Sequence, residues 1–120
     1  MLKKTMTYTD YENVERTEDF YFNLTKGELT EMEFSVAGGM KKLLEQIVAS
    51  QSTPQIFDMF KMIILKSYGE KSLDGKRFVK SKEITDGFLQ TEAYSDLIVE
   101  LVSDPVAAAT FVNGVIPDIK

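Results

Sequence analysis

The sequence predicts an α+β protein, mostly α: an N-terminal β-hairpin followed by a bundle of five or six helices around a central apolar helix at about residues 53–68. Three observations predict it. Apolar and polar residues alternate near the N-terminus, the two-residue period of half-buried strands. Between Thr53 and Gly69 runs TPQIFDMFKMIILKSYG, apolar around most of a helical circumference. Around residues 40–48 and 94–102 apolar side chains recur at i, i+3 and i+4, the period of amphipathic helices. A chain of 120 residues with 43% hydrophobic residues has the size of one domain with one core. Its expected parts are a hairpin (1–24), a helical body (25–114) and a tail (115–120).

Taken in order, Leu2, Met6 and Tyr8 share one face of a first strand, which Lys4 interrupts. Asp10-Tyr11-Glu12-Asn13 is turn chemistry, and Val14 to Leu24 forms a second strand with Phe20, Phe22 and Leu24 facing inward. A lone hairpin is marginal in water, so this one must pack on helices or pair its edge. Thr25 and Glu28 have capping-box spacing and open a short helix to about Phe34. Gly38-Gly39 breaks the chain before a helix carrying Met40, Leu43, Leu44, Ile47 and Val48, which the linker Ser50-Gln51-Ser52 folds back beside the central helix.

In the central helix Thr53 is the expected cap, Pro54 suits the first turn and Gly69 suits a left-handed stop. Asp58 and Lys61 interrupt it too early for a membrane span. The insert EKSLDGKRFVK then turns at Asp74-Gly75, with Leu73 and Phe78 making a small hairpin or pinning a loop. Ser81 or Thr85 caps a short helix carrying Phe88 and Leu89. Thr91 caps another, with Tyr94, Leu97, Ile98, Leu101 and Val102 on one stripe. Asp104-Pro105 starts a last helix carrying Ala107, Ala108, Phe111 and Val112, which Gly114 ends. Pro117 makes residues 116–120 extended.

The residue types leave little room for catalysis. With no His and no Cys, the chain lacks the commonest general base, a thiolate nucleophile and a thiolate metal site. Gly69-Glu70-Lys71-Ser72 matches only the end of a phosphate-binding loop: Glu70 separates the Gly from the Lys, and Ile64 stands where the first Gly belongs. Carboxylate pairs such as Glu31/Glu33 and Glu83/Asp86 read as solvated helix faces, Ser81-Lys82 as a cap, and Asp74 stands alone in its loop. No catalytic residue, cofactor or metal is expected, and no enzyme. The N-terminus lacks the apolar run of a secretory signal, which makes the cytoplasm the default location. A net charge of −5 argues against nucleic acid or an anionic membrane as partner.

One stretch departs from that average. From Lys66 to Lys82, Lys66, Lys71, Lys76, Arg77, Lys80 and Lys82 face only Glu70 and Asp74, so the segment is +4 and the remainder −9. Such separation steers partners of opposite charge. On charge and aromatic content, Tyr68, Lys71, Asp74, Lys76, Arg77 and Phe78 are the candidate partner-binding residues. A solvated loop is the simpler alternative.

The segment SYGEKSLDGKRFVKS, together with FYFNLTKGEL at Phe20–Leu29, QTEAYSDLIVEL at Gln90–Leu101 and FVNGVIP at Phe111–Pro117, resembles the tail assembly chaperones of long-tailed bacteriophages of Gram-positive bacteria. The resemblance implies a non-enzymatic protein that holds the long helical tape measure protein soluble while tail tube subunits polymerise around it, and that is absent from the finished virion. It implies the tape measure protein and the major tail tube protein as partners, with a second copy of the chain or a longer frameshift product as further candidates. Helix-in-groove binding of tape measure helices is the expected mechanism. The family brings no motif-defined site, so the six loop residues rest on their own chemistry. A virion structural part, such as a connector or tail-completion protein, and a regulator directed at a host protein or nucleic acid are the rival readings.

Burying one large apolar side chain contributes about 1.5–3 kcal/mol, so the apolar side chains of the central helix should dominate its stabilisation. Phe60→Asp or Ile63→Asp is expected to abolish the cooperative thermal transition; a melt near the wild-type temperature would mean that this helix lies elsewhere.

Overall fold

The computed structural model describes residues 1–35 and 53–115. Strands β1 (Leu2–Thr9) and β2 (Glu15–Phe22) pair antiparallel along their whole length, from Leu2 opposite Phe22 to Thr9 opposite Glu15. Asp10 builds the turn between them. Its Oδ1 accepts from the backbone N–H groups of Glu12 and Val14, and its Oδ2 accepts from Arg16 Nε at 2.5 Å. Asn13 supplies the left-handed residue at φ 64°, a conformation asparagine tolerates better than most. The second strand is shorter than Val14–Leu24, yet Phe20, Phe22 and Leu24 are all buried as the alternation requires.

Helix α1 (Lys26–Ser35) starts on the capping box: Thr25 Oγ1 accepts from the Glu28 N–H at 3.1 Å, and Glu28 Oε1 accepts from the Thr25 N–H at 3.0 Å. Helix α2 (Thr53–Ser67) is the apolar helix. It buries Met59, Phe60, Ile63 and Ile64, half-buries Ile56, Met62 and Leu65, and leaves Phe57 exposed. Its covered surface is therefore a stripe, narrower than its composition suggests.

The end of α2 corrects the sequence reading. Ser67, wholly buried, donates its hydroxyl to the Ile63 carbonyl at 2.6 Å, while its own carbonyl accepts from the Asn23 N–H at 2.8 Å. The chain leaves the helix there as strand β3 (Tyr68–Lys71). Gly69 is not a left-handed stop: it lies in β3 opposite Tyr21, and its φ is not positive. A Cβ at Gly69 would stand 2.7 Å from the Phe78 ring and 2.8 Å from the Val79 carbonyl oxygen, so close packing is what demands glycine.

Strand β3 turns back as β4 (Phe78–Val79), with Gly75 at φ 72° in the loop. The insert is thus a hairpin, but Leu73 does not pin it; that side chain is fully exposed. All pairings are antiparallel in the order β1-β2-β3-β4, so the N-terminal hairpin is half of a four-stranded sheet.

Three helices follow: α3 (Lys82–Leu89), α4 (Glu92–Ser103) and α5 (Pro105–Val115). Their caps are Ser81, not Thr85, accepting from Ile84 N–H at 3.1 Å; Thr91, accepting from Tyr94 N–H at 3.2 Å; and Asp104, accepting from Val106 N–H at 3.0 Å. Helices α4 and α5 meet at 113°. Gly114 does not end α5, which continues to Val115; it lets the Leu2 side chain approach, since a Cβ there would be 2.9 Å from Leu2 Cδ1. The described residues thus hold five helices and four strands, an α+β fold, mostly α. The Gly38-Gly39 break, the expected Met40–Val48 helix, the Ser50–Ser52 linker and the tail at 116–120 lie outside the described residues.

The inner face of the sheet carries an aromatic seam. Phe22 lies with ring centroids 5.6 Å from Tyr68, 5.9 Å from Phe88 and 5.1 Å from Phe111, and Tyr68 stacks on Phe88 at 4.1 Å with 12° between planes. Such pairs add about 0.5–1.5 kcal/mol each beyond burial. Helix α4 buries Ala93, Leu97, Ile98 and Leu101 and packs against β1, α2, α3 and α5. Lys4, which interrupts the apolar face of β1, reaches Glu100 of α4 at 3.2 Å.

Lys80, just past β4, ties these layers together. Its Nζ donates to the Asn23 carbonyl at 2.7 Å, the Lys66 carbonyl at 2.8 Å and Glu28 Oε2 at 2.6 Å. The Lys66 carbonyl belongs to the last turn of α2, where helical partners run out. Burial alone would raise the Glu28 carboxyl, but the hydrogen bond from Lys80 and the Thr25 amide outweigh it and hold its pKa below the ordinary 4.5.

A carboxyl with a depressed folded-state pKa contributes stability that is present above its unfolded value and lost as pH falls through the folded one. Acid titration of the wild-type melt should therefore show Glu28's contribution disappearing below about pH 4.5. Lys80→Met should cost about 1–3 kcal/mol at neutral pH by stripping the two carbonyls of their donor, and should flatten the acid loss. A variant whose pH dependence matches the wild type would show that Glu28 is not tuned by Lys80.

Candidate functional site

Helices α2 and α5 both pack on α4 but make little close approach to one another. The space between them is an open groove of about 420 Å³, at the low end of the range for ligand pockets, about 300–1,000 Å³. Ile56, Met59 and Phe60 form one wall, Leu101 and Val102 the floor, and Pro105, Ala108, Ala109 and Val112 the other wall. The groove is open because the first turns of α5 carry a proline and the run Ala107–Ala109, too small to close onto α2. Among the described residues lining it, Asn113 is the one side chain with a polar group. Its chemistry suits apolar side chains presented by a helix, since no charge waits to be paired. The sequence signal that would have found it is that run of small residues after Asp104-Pro105, beside an apolar helix with more grease than its core uses.

The six loop residues separate into three groups. Tyr68 is buried and stacked on Phe88; burial pushes its phenol pKa up. The ring belongs to the core and has little surface to offer a partner. Asp74 holds the turn: its Oδ1 accepts from Ser72 Oγ at 2.6 Å and from the Lys76 N–H at 3.0 Å, and these bonds lower its carboxyl pKa. Phe78 is half-buried against Gly69. Lys71, Lys76 and Arg77 are exposed. Lys71 Nζ sits 4.4 Å from the centre of the Tyr21 ring, a cation–π contact. Neither Lys76 nor Arg77 has a salt bridge among the described residues, so both charges stand free at the tip of the β3–β4 hairpin.

The +4 segment is thus divided by the fold. Lys80 is consumed in holding Asn23, Glu28 and Lys66, which leaves the tip pair and the exposed Lys66, Lys71 and Lys82 as the outward charge. Among the described residues no group of three or more acidic side chains is placed to hold a metal ion, and no single helix is long and apolar enough to cross a membrane.

No curated protein and no solved structure matches the chain. The family model described as phage tail assembly chaperone matches residues 1–119. On that match, which takes in both strands of the N-terminal hairpin, the charged β3–β4 hairpin and every helix lining the groove, the chain belongs to the phage tail assembly chaperone family.

Proposed function

We propose that this chain acts without catalysis in the cytoplasm of an infected bacterium, where it keeps the tape measure protein soluble and promotes polymerisation of the tail tube around it, and that it does not remain in the virion. The observation that carries this reading is the open apolar groove between α2, α4 and α5. A long helical protein with an apolar stripe aggregates through that stripe, and covering it with a protein groove lowers the exposed apolar area without forming an irreversible contact. Here the walls would accept side chains at i, i+3, i+4 and i+7 of an amphipathic helix, while the acidic remainder of the surface keeps the complex soluble. The free pair Lys76 and Arg77, projecting from a rigid hairpin, would meet the major tail tube protein, a second copy of the chain or a longer frameshift product. The likeness of the four quoted segments supports a long-tailed phage of a Gram-positive host.

Co-expression with the tape measure protein encoded beside this chain should raise its soluble, co-purifying fraction several-fold. Ala109→Gln, at an exposed position on the groove wall, should keep the wild-type melting temperature and lose most of that rescue. Equal rescue by the variant would move the binding face elsewhere, and aggregation of the tape measure protein with the wild-type chain would reject the chaperone role for this form.

Reversing the hairpin tip with Lys76→Glu and Arg77→Glu together should leave the fold intact, because neither side chain supports it. It should reduce tail yield in a complementation assay while tape measure solubility is unchanged. Unchanged tail yield would remove the tip from the interface.

A further inference from the structure

Strand β2 is fully paired on one side and almost bare on the other. Two backbone bonds fix which residues face which way. The Asp10 N–H donates to the Val14 carbonyl at 2.9 Å, so even-numbered β2 residues direct their backbone groups toward β1. The Asn23 N–H donates to the Ser67 carbonyl at 2.8 Å, so odd-numbered residues direct theirs toward β3. Strand β3 meets β2 only at Tyr21 and Phe22 and then departs into its own hairpin. Among the described residues the N–H and C=O groups of Glu15, Thr17 and Asp19 on that side therefore have no backbone partner. Where the strands part, a notch of about 440 Å³ opens between Glu18–Tyr21 and Tyr68–Lys71.

The charge along this edge is mainly negative. Glu15, Glu18 and Asp19 on β2 and Glu70 on β3 are exposed. The nearby cations are fewer: Arg16 is paired with Asp10, while Lys71, over the Tyr21 ring, keeps its charge at the notch. A second copy docking antiparallel by the same edge, centred on Thr17, would set Glu15 against Asp19 at both ends, a like-charge pairing that disfavours the self-complex.

We propose that the Glu15–Asp19 edge of β2 is a strand-addition site that takes an extended, lysine- or arginine-bearing segment of a partner protein. The partner's backbone pairs with Glu15, Thr17 and Asp19, continuing the β3 side of the sheet where β3 itself leaves off. Basic side chains on the outward face of the added strand meet Glu15 and Asp19, which sets register and excludes acidic strands. This site shares no lining residue with the helical groove and does not depend on that groove's occupant.

The test uses the intact chain and two synthetic extended peptides, one alternating lysine with threonine and valine, the other carrying glutamate in place of lysine. Amide hydrogen exchange by NMR should show Glu15, Thr17 and Asp19 exchanging fast in the free protein and slowing when the lysine peptide binds, with Arg16 and Glu18 protected throughout by β1. Thr17→Pro removes an N–H that points away from β1 and leaves every charge in place. It should lower calorimetric affinity for the lysine peptide by roughly tenfold or more, the effect of losing a docking hydrogen bond, with the melting temperature held. Should that variant fail to fold, the exchange pattern of the wild type decides alone. Equal binding of the glutamate peptide, protection that does not alternate along β2, or undiminished binding by a folded Thr17→Pro would each overturn the proposal and leave the acids as guards against edge-to-edge aggregation.

Discussion

The architecture depends on one ammonium group. Lys80 Nζ spends its donors on the carbonyl that follows β2, the carbonyl near the end of α2, and the carboxylate that caps α1. An exposed ion pair alone contributes about 0–1 kcal/mol, so the Lys80–Glu28 attraction is the smaller part of its effect. The larger part is the charge-assisted hydrogen bonding of the part-buried Asn23 carbonyl and the more exposed Lys66 carbonyl, about 1–3 kcal/mol in all. Sheet, first helix and apolar helix are fixed at one point because those acceptors have one donor in common.

That point also explains the shape of the sheet. Ser67 is buried with its carbonyl bound to Asn23, which forces the chain leaving α2 to run alongside β2. Tyr68 then turns inward to stack on Phe88, and Gly69 lies under Phe78. Lys80 pulls the returning strand toward Glu28. The hairpin is therefore held against itself and against α1, and it cannot follow β2 beyond Tyr21. The bare edge at Glu15–Asp19 follows from how the core is anchored.

Local chemistry was legible in the sequence and distant pairing was not. The capping box at Thr25 and Glu28, the caps Ser81, Thr91 and Asp104, and the inward Phe20, Phe22 and Leu24 follow from groups a few residues apart, or from a simple period, and each is present. Gly69 was misread because a glycine after an apolar helix has the local signature of a left-handed stop. What it answers to is Phe78, Val79 and, across the sheet, Tyr21. Gly114 was misread in the same way, its reason being Leu2 at the other end of the chain. Lys80 and Tyr68 looked like part of a charged, aromatic loop because composition does not say which side chains a fold turns inward. The groove was foreseeable as a kind of surface, but its walls come from three helices whose juxtaposition no single segment encodes.

The two surfaces available to partners differ in what they select. The groove between α2, α4 and α5 offers shape and apolar contact with almost no hydrogen-bonding groups, so it discriminates weakly among helices with an apolar stripe. Weak discrimination suits a partner whose stripe repeats along its length, because many copies can then load without a unique address. The β2 edge offers directional backbone groups beside acids, so as a strand-addition site it would reject wrong strands by charge and fix register. Since they share no residue, occupancy of one does not compete with occupancy of the other for the same atoms. On the proposed function, a protein that covers a long apolar substrate and yet gives it up to another assembly would gain from that division. The permissive surface would set how much is covered, and the selective one which assembly is brought alongside.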